Sequence, residues 1–293
     1  MPRAASVVAL LLLLGASGCS EDSREGSTSF RGYYPLEIGN RWEYDRELTL
    51  EFYPDDPNSQ PFEYGPVLAQ ATREIVGDAE QDGRDYRDVE YVIHEDGFPE
   101  VYVSHEYHRQ ERAGHYVAYP PIDDDEASNR LAHLEWRAPM GPVAPTDAAR
   151  RALVSLDEKR AAFHRAMRAA VHDDDVPGTP PDGEGFELDY PLYRGSSWIV
   201  RPVDHPFLIT REVVGMERVE FPVGVRLSVV IRQDLPHLFG PNDHATFWYG
   251  RDGLYGYHLH LEAAWIDGGR PVGTYTSDES ERLSAIHLVV GND

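Results

Sequence analysis

One nine-residue pattern occurs twice in this chain, and it restricts the fold more than any bulk property does. Tyr34-Pro35-Leu36-Glu37-Ile38-Gly39-Asn40-Arg41-Trp42 returns 156 positions later as Tyr190-Pro191-Leu192-Tyr193-Arg194-Gly195-Ser196-Ser197-Trp198, both reading Tyr-Pro-Leu-x-x-Gly-x-x-Trp. Further on, Thr72-Arg73-Glu74-Ile75-Val76-Gly77 is answered 138 positions later by Thr210-Arg211-Glu212-Val213-Val214-Gly215. The shortfall of 18 between the two offsets fits a long loop in the first copy, around Pro54-Asp55-Asp56-Pro57-Asn58. Two matches in the same order imply a repeated structural unit. Within it, proline suits the entry to a strand because its φ is fixed. Glycine suits a bend at positive φ, and tryptophan brings large apolar area with an N–H that needs an acceptor.

The rest of each copy has strand character. Val225, Leu227, Val229 and Ile231 alternate with Arg226, Ser228, Val230 and Arg232, which places the first set on a core face. Val89, Tyr91 and Ile93 do the same in the first copy, and Val101-Tyr102-Val103 and Phe247-Trp248-Tyr249 add further strands. Asp82-Gly83, Asp96-Gly97 and Asp252-Gly253 separate them as turns, and a last strand is expected within Leu283–Val290. Between the copies the pattern changes. Leu131–Arg137 can form one more strand, and Thr146 is a helix N-cap followed by Asp147. From there to His172, Leu153, Leu156, Phe163, Met167 and Ala170 recur at helical spacing. The expected fold is mostly β: a curved antiparallel sheet built from two related repeats, with one amphipathic helix inserted between them. The expected boundaries are a β repeat at 31–120, an insert at 121–186 with its helix at about 146–172, and a second repeat with a C-terminal strand at 187–293.

The beginning of the chain is about address. Arg3, the apolar run Val7–Leu14 and the small residues Gly15-Ala16-Ser17-Gly18 lead to Cys19. Eight apolar residues are too few to span a bilayer as a helix, which takes about 20, whereas a charged start, a short apolar core and a small-residue exit form an export signal. Cys19 is the single cysteine of 293 residues. Ala16-Ser17-Gly18-Cys19 resembles a lipobox, with Ala where Leu is usual, so 1–18 is expected to be a lipoprotein signal peptide and Cys19 the lipidation site. Ordinary cleavage after Gly18 is the competing reading, and it leaves an exposed exported thiol, which is a liability. Ser20 after the cysteine favours the outer membrane, and the polar segment 19–30 is expected to be a tether. Acyl chains contribute about 0.8 kcal/mol per buried CH₂, so the expected membrane contact runs through lipid. The net charge of −24 makes nucleic acid and anionic headgroups poor partners for the surface as a whole.

Pro-Leu-x-x-Gly-x-x-Trp shortly after a lipid anchor is similar to a signature of a broad group of uncharacterised bacterial lipoproteins. The run Val219-Glu220-Phe221-Pro222-Val223-Gly224 and then Trp248-Tyr249-Gly250-Arg251-Asp252-Gly253-Leu254 resembles their second signature. The resemblance covers most of 33–265 and omits the insert. It implies a strongly curved sheet like that of the lipoprotein carriers LolA and LolB, with the helix in the concave face, and it carries no catalytic residues.

The chemical signals are sparse. His258 and His260 are two apart on an expected strand and share a face, as two zinc ligands can. Tyr255, Tyr257, Leu259 and Leu261 take the other, core-like face, which leaves the histidines beside Glu262 without a third ligand in view. His105-Glu106-Tyr107-His108 is not a His-Glu-x-x-His motif. Asp78-Ala79-Glu80-Gln81-Asp82-Gly83 begins like a calcium loop but has Val89 where the bidentate Glu belongs, so a hairpin turn is expected. Asp123–Glu126 and Asp173–Asp175 are acidic runs of the kind usually solvated. No nucleophile elbow, phosphate loop or dinucleotide fingerprint is present. The expectation is therefore no catalytic residue, no metal site and no cofactor, with the ligand-binding residues unknown. The role expected is non-enzymatic binding of a hydrophobic ligand or an envelope partner. A structural or assembly role, or a metal-dependent hydrolase using His258 and His260, are the alternatives.

Overall fold

The computed structural model describes residues 34–97, 99, 101–118, 184–200, 210–234, 242–267 and 270–289. They form twelve strands: β1 (Arg41–Pro54), β2 (Phe62–Gln81), β3 (Arg84–Glu95), β4 (Val101–Gln110), β5 (Gly114–Ala118), β6 (Glu184–Asp189), β7 (Ser197–Ile199), β8 (Thr210–Phe221), β9 (Gly224–Asp234), β10 (His244–Gly250), β11 (Gly253–Asp267) and β12 (Arg270–His287). The expected signal segment, Cys19, the tether, the strand at 131–137 and the helix at about 146–172 lie outside the described residues. Among the described residues the fold is all strand.

All twelve strands belong to one sheet, in the order β6-β5-β4-β3-β2-β1-β12-β11-β10-β9-β8-β7. Each strand therefore lies beside its neighbour in sequence. The first and last strands also pair, from Arg41↔His287 to Pro54↔Gly273. The two edge strands meet as well: Phe186 N–H donates to Val200 O at 3.1 Å, and the Trp198 indole N–H donates to Phe186 O at 3.0 Å. The result is a nearly closed antiparallel barrel in which the edges that would otherwise invite foreign strands are covered.

At the two Tyr-Pro-Leu-x-x-Gly-x-x-Trp segments the backbone does the same thing. Gly39 N–H donates to Ile75 O (2.8 Å), Ile75 N–H to Asn40 O (2.9 Å) and Asn40 N–H to Glu37 O (3.1 Å). In the other segment Gly195 N–H donates to Val213 O (2.8 Å), Val213 N–H to Ser196 O (2.9 Å) and Ser196 N–H to Tyr193 O (2.9 Å). The glycines sit at φ +92° and +85°, where a side chain is costly. The register slips just beyond each turn, between Ile75 and Gly77 and between Val213 and Gly215. Trp42 faces Arg73 across β1–β2 and Trp198 faces Arg211 across β7–β8. Both indoles are buried in one core, and the Trp42 N–H donates to Asp252 O at 2.5 Å.

Alternation explains which side chains go inside. Trp42, Tyr44, Leu48, Leu50 and Phe52 of β1 are buried, as are Tyr275, Ser277, Glu279, Glu281 and Leu283 of β12. Asp82 (φ 51°) and Gly83 (φ 73°) make the two-residue β2–β3 turn, the geometry that matches the strand twist. Three expectations need correction. The first copy's additional residues mostly extend strands, β1 and β2 pairing from Arg41↔Glu74 out to Phe52↔Phe62, and the loop expected around 54–58 is there as the shorter connection 55–61. The last strand begins at Arg270, well before Leu283. Val229 and Ile231 are core residues, but Val225 and Leu227 are exposed, because they lie on the part of the β8–β9 hairpin beyond the pairing of β8 with β7, which ends at Glu212.

The twin turns yield a graded test. Gly195→Ala is expected to cost about 1–2 kcal/mol through positive φ alone, since a Cβ there meets nothing within 4 Å. Gly39→Ala is expected to cost more, because its Cβ meets Val289 Cγ2 at 3.1 Å. Urea midpoints of the two variants should fall in that order.

Candidate functional site: a charged belt inside the barrel

The inward face is not uniformly apolar. Three arginines on β1, β2 and β8 enter the barrel and meet carboxylates from β12, β4 and β6. Arg46 Nη2 donates to Glu279 Oε1 of β12 at 2.7 Å, and Tyr257 of β11 donates its hydroxyl to the same oxygen at 2.5 Å. Tyr91 of β3 donates to Glu281 Oε1. Arg73 Nη1 donates to Glu106 Oε2 of β4 at 2.8 Å, and its guanidinium lies 4.3 Å from the centre of the Tyr91 ring. Arg211 is 1% exposed. It holds Glu187 at 2.8 Å and Gln233 Oε1 at 2.7 Å, with its guanidinium 4.3 Å from the Phe247 ring centre. Tyr249 of β10 donates to Glu187 of β6. Tyr91–Glu281 and Tyr249–Glu187 join strands three or more places apart round the sheet, whereas Arg46–Glu279, Tyr257–Glu279 and Arg211–Gln233 link paired neighbours.

A chain of imidazoles continues from Glu106. His108 Nε2 lies 3.1 Å from Glu106 Oε2, and His108 Nδ1 lies 3.0 Å from His115 Nε2. Glu106 accepts from His108 Nε2–H, and one proton lies between His108 Nδ1 and His115 Nε2. Tyr34 packs on this chain, its ring centre 4.8 Å from that of His115, 5.3 Å from that of His108 and 5.1 Å from that of Trp42.

Burial and charge oppose each other across the belt. Burial depresses Arg46 and Arg73, but the facing carboxylates, Glu279 and Glu106 foremost, outweigh it and hold both guanidiniums well above their usual range. Burial raises Glu187, yet Arg211 outweighs it and keeps that carboxyl low. For Glu281 burial wins over Arg73 and Arg46, and its pKa is raised. His115 is pushed well below its ordinary value, first by burial and then by the charge of His108. Four buried atoms of the belt have no hydrogen-bond partner among the described residues: Tyr34 Oη, Arg73 Nε, His115 Nδ1 and Glu281 Oε2. An unsatisfied buried polar atom costs about 1–3 kcal/mol, and each of the four is a group that a water or a ligand's polar group can satisfy.

Of the residues named from the sequence, Glu106, His108 and Tyr257 join the belt, and the histidine pair of β11 lies elsewhere. His258 and His260 share the outer face of β11, opposite Leu259 and Leu261. Both approach one carboxylate oxygen, Asp278 Oδ1, at 2.8 and 2.9 Å. His244 of β10 stands 5.4 Å from His260, centre to centre. Asp278 and His244 are invisible to sequence reasoning, because strand pairing rather than spacing brings them there. Among the described residues no group of three or more His, Cys, Asp and Glu is arranged to hold a metal ion. His105 pairs with Asp88 at 2.9 Å, and Asp78–Gln81 are strand residues leading into the Asp82-Gly83 turn.

No family model matches this chain, and no curated protein matches it. Solved structures show distant similarity. A protein from Bacteroides fragilis described as exported and as having a YmcC-like fold is 12% identical, with a TM-score of 0.37, over 88% of this chain and 100% of that one. A protein from Parabacteroides distasonis described as a lipoprotein is 10% identical, with a TM-score of 0.34, over 88% of this chain and 99% of that one. Lipovitellin, from a structure concerned with lipid–protein interactions, is 8% identical, with a TM-score of 0.33; the match covers 88% of this chain and 26% of lipovitellin. Likeness at this level says nothing of a shared activity.

The charges make two expectations measurable. Glu187→Leu leaves Arg211 buried without its carboxylate, so a loss of about 3–5 kcal/mol is expected, read by chemical denaturation; a loss under about 1 kcal/mol, the scale of an exposed pair, contradicts the pairing. On the outer face, burial lowers His260, but the hydrogen bond and charge of Asp278, with Glu262, outweigh it and raise its pKa. A raised folded value means that the stabilisation is full below the ordinary value of 6.5 and disappears as pH rises through the raised one. NMR titration should place the His260 midpoint above the ordinary histidine value, and Asp278→Asn should bring it down.

Proposed function

We propose that this chain is an exported lipoprotein, anchored through Cys19 in the outer membrane, that acts by binding rather than by catalysis. What it binds is a mostly apolar molecule with a polar head, taken into the barrel. The observation that carries this reading is the set of unpartnered buried atoms on Tyr34, Arg73, His115 and Glu281. Beside them lies apolar wall: Leu48 and Leu259 flank Glu279 in register, and Leu50 and Leu261 flank Ser277. A purely hydrocarbon ligand does not suit the belt, because displacing a buried ion pair without replacing its hydrogen bonds costs several kcal/mol. A head with a donor and an acceptor does suit it. The address rests on the segment ending at Cys19, and the resemblance to lipoproteins bearing Pro-Leu-x-x-Gly-x-x-Trp belongs to the same proposal.

The reading includes the duplication. Six strands from β1 to β6 and six from β7 to β12 are two related halves, each opened by the same turn. The matching hydrogen bonds at Gly39 and Gly195, the matching register slips and the matching Trp–Arg pairs support it.

The test is extraction of the full chain from membranes in mild detergent, followed by mass spectrometry of the small molecules it carries. An amphipathic molecule at close to one per protein is expected, and Arg73→Leu should release it. Protein recovered with nothing but water in the barrel would sink the ligand reading. Efficient in-cell crosslinking to a single envelope protein would then favour the partner in its place.

A further inference from the structure

Strand direction puts both Tyr-Pro-Leu-x-x-Gly-x-x-Trp turns at one end of the barrel. β1 and β7 are separated by an even number of antiparallel steps in the sheet order, so they start from the same side. Around the first turn Ile38, Val76, Leu288 and Val289 are exposed although apolar. They are neighbours: Val289 N–H donates to Asn40 Oδ1 at 2.7 Å, and Val76 follows Ile75, whose carbonyl accepts from Gly39. Around the second turn Tyr193 and Val214 are exposed in the same way.

Charge divides the two ends. Arg41 opens β1, and Arg84, Arg112, Arg194 and Arg251 stand in or beside the β2–β3, β4–β5, β6–β7 and β10–β11 connections of this end. Acids are present too, among them Glu37, Glu111 and Asp252, so charges here are mixed. At the opposite end the β1–β2 and β3–β4 turns carry Asp55, Asp56, Glu63 and Asp96 and no arginine among their described residues, while Arg270 stands beside the β11–β12 turn. That end also exposes Tyr53, Phe62 and Val103, so apolar exposure alone does not distinguish the two ends. Charge and the attachment point do.

We infer that the end bearing the twin turns is a bilayer-docking surface, seated on the anionic leaflet that holds the acyl chains of Cys19. Fourteen residues lie between Cys19 and Tyr34, a reach of at most about 50 Å. β1 alone is 14 residues, about 46 Å at roughly 3.3 Å per residue. Docking by the far end would consume nearly the whole reach and press carboxylates against anionic headgroups. Docking by the near end places apolar side chains at the acyl boundary and lets arginines lie along the interface with their heads among the phosphates. The inference rests on the lipid-anchor reading, and its test separates the two.

Because Cys19 is the only native cysteine, an introduced thiol in the acylated protein is unique. An environment-sensitive fluorophore is attached in turn to Leu288→Cys, Val214→Cys, Tyr53→Cys and Val103→Cys in the full chain. The labelled proteins are reconstituted on vesicles of phosphatidylethanolamine and phosphatidylglycerol. The labels at 288 and 214 are expected to brighten at least twofold and to be quenched by lipid-borne nitroxide, whereas those at 53 and 103 stay unchanged. Brightening at 53 and 103 instead, or at none of the four, overturns the docking surface and leaves the anchor standing. Mass spectrometry of Cys19 reports on the anchor independently. If no acyl chain is found, the four labels are read in a Cys19→Ser background on protein added to preformed vesicles, where brightening confined to 288 and 214 supports the surface and any other pattern overturns it.

Discussion

The pairing of the first strand with the last is the constraint on which the rest of the structure depends. β1 and β12 hydrogen-bond along their length, from Arg41↔His287 to Pro54↔Gly273. Without that ladder the chain would form two open meanders, each with a long bare edge. With it, twelve strands become one wall, and the short seam between β6 and β7 needs only a few bonds to close it. Loop entropy makes a ladder between residues more than two hundred apart a late event in folding, so closure is cooperative with everything the wall encloses.

What it encloses is unusual for a structure held by burial. Arginines on β1, β2 and β8 enter the interior, and each finds its carboxylate on a different strand. Buried ion pairs contribute little net stability compared with apolar packing of the same volume, but a half-made pair is severely penalised. Such a belt therefore tolerates one register and punishes slipped ones. A one-residue slip turns every inward charge outward and every outward one inward. The aromatic side chains near the starts of β1 and β7, Trp42 packed on Tyr34 and Trp198 bonded to Phe186 O, provide apolar burial that the belt lacks.

Much of this architecture is legible in the sequence, and the illegible parts have a common cause. The twin glycines and tryptophans announce themselves because backbone φ and large apolar area leave marks at single positions. The turns at Asp82-Gly83 and Asp252-Gly253 do so for the same reason. The belt does not. Arg46, Glu279 and Glu281 look like solvated residues of a polar strand, and Ser277-Asp278-Glu279-Ser280-Glu281 resembles a loop until Ser277, Glu279 and Glu281 are seen alternating inward. The belt's signals in the sequence are Arg73 and Arg211, which recur inside the repeated Thr-Arg-Glu segment next to apolar residues, and Glu106 and His108, two apart in His105-Glu106-Tyr107-His108. Spacing assigns His258 and His260 to the outer face, but their shared carboxylate, Asp278, comes from the next strand, and pairing of that kind leaves no mark in spacing. Val225 and Leu227 follow a perfect alternation and are still exposed, since alternation reports which face a residue takes and not whether anything covers it.

The adjacency of β1 and β12 also governs biogenesis. A chain synthesised from its N-terminus delivers β1 first and β12 last, so the strand that must lie beside residues 41–54 emerges only after β2–β11 have been made. Until then β1 has a partner on one side only, and Glu279 and Glu281 have yet to reach the guanidinium of Arg46. Truncation within β12 removes a neighbour from both β1 and β11, leaving two raw edges in place of one shortened strand. The enclosure is completed by the last strand to be made, so the interior exists only once β12 has arrived intact.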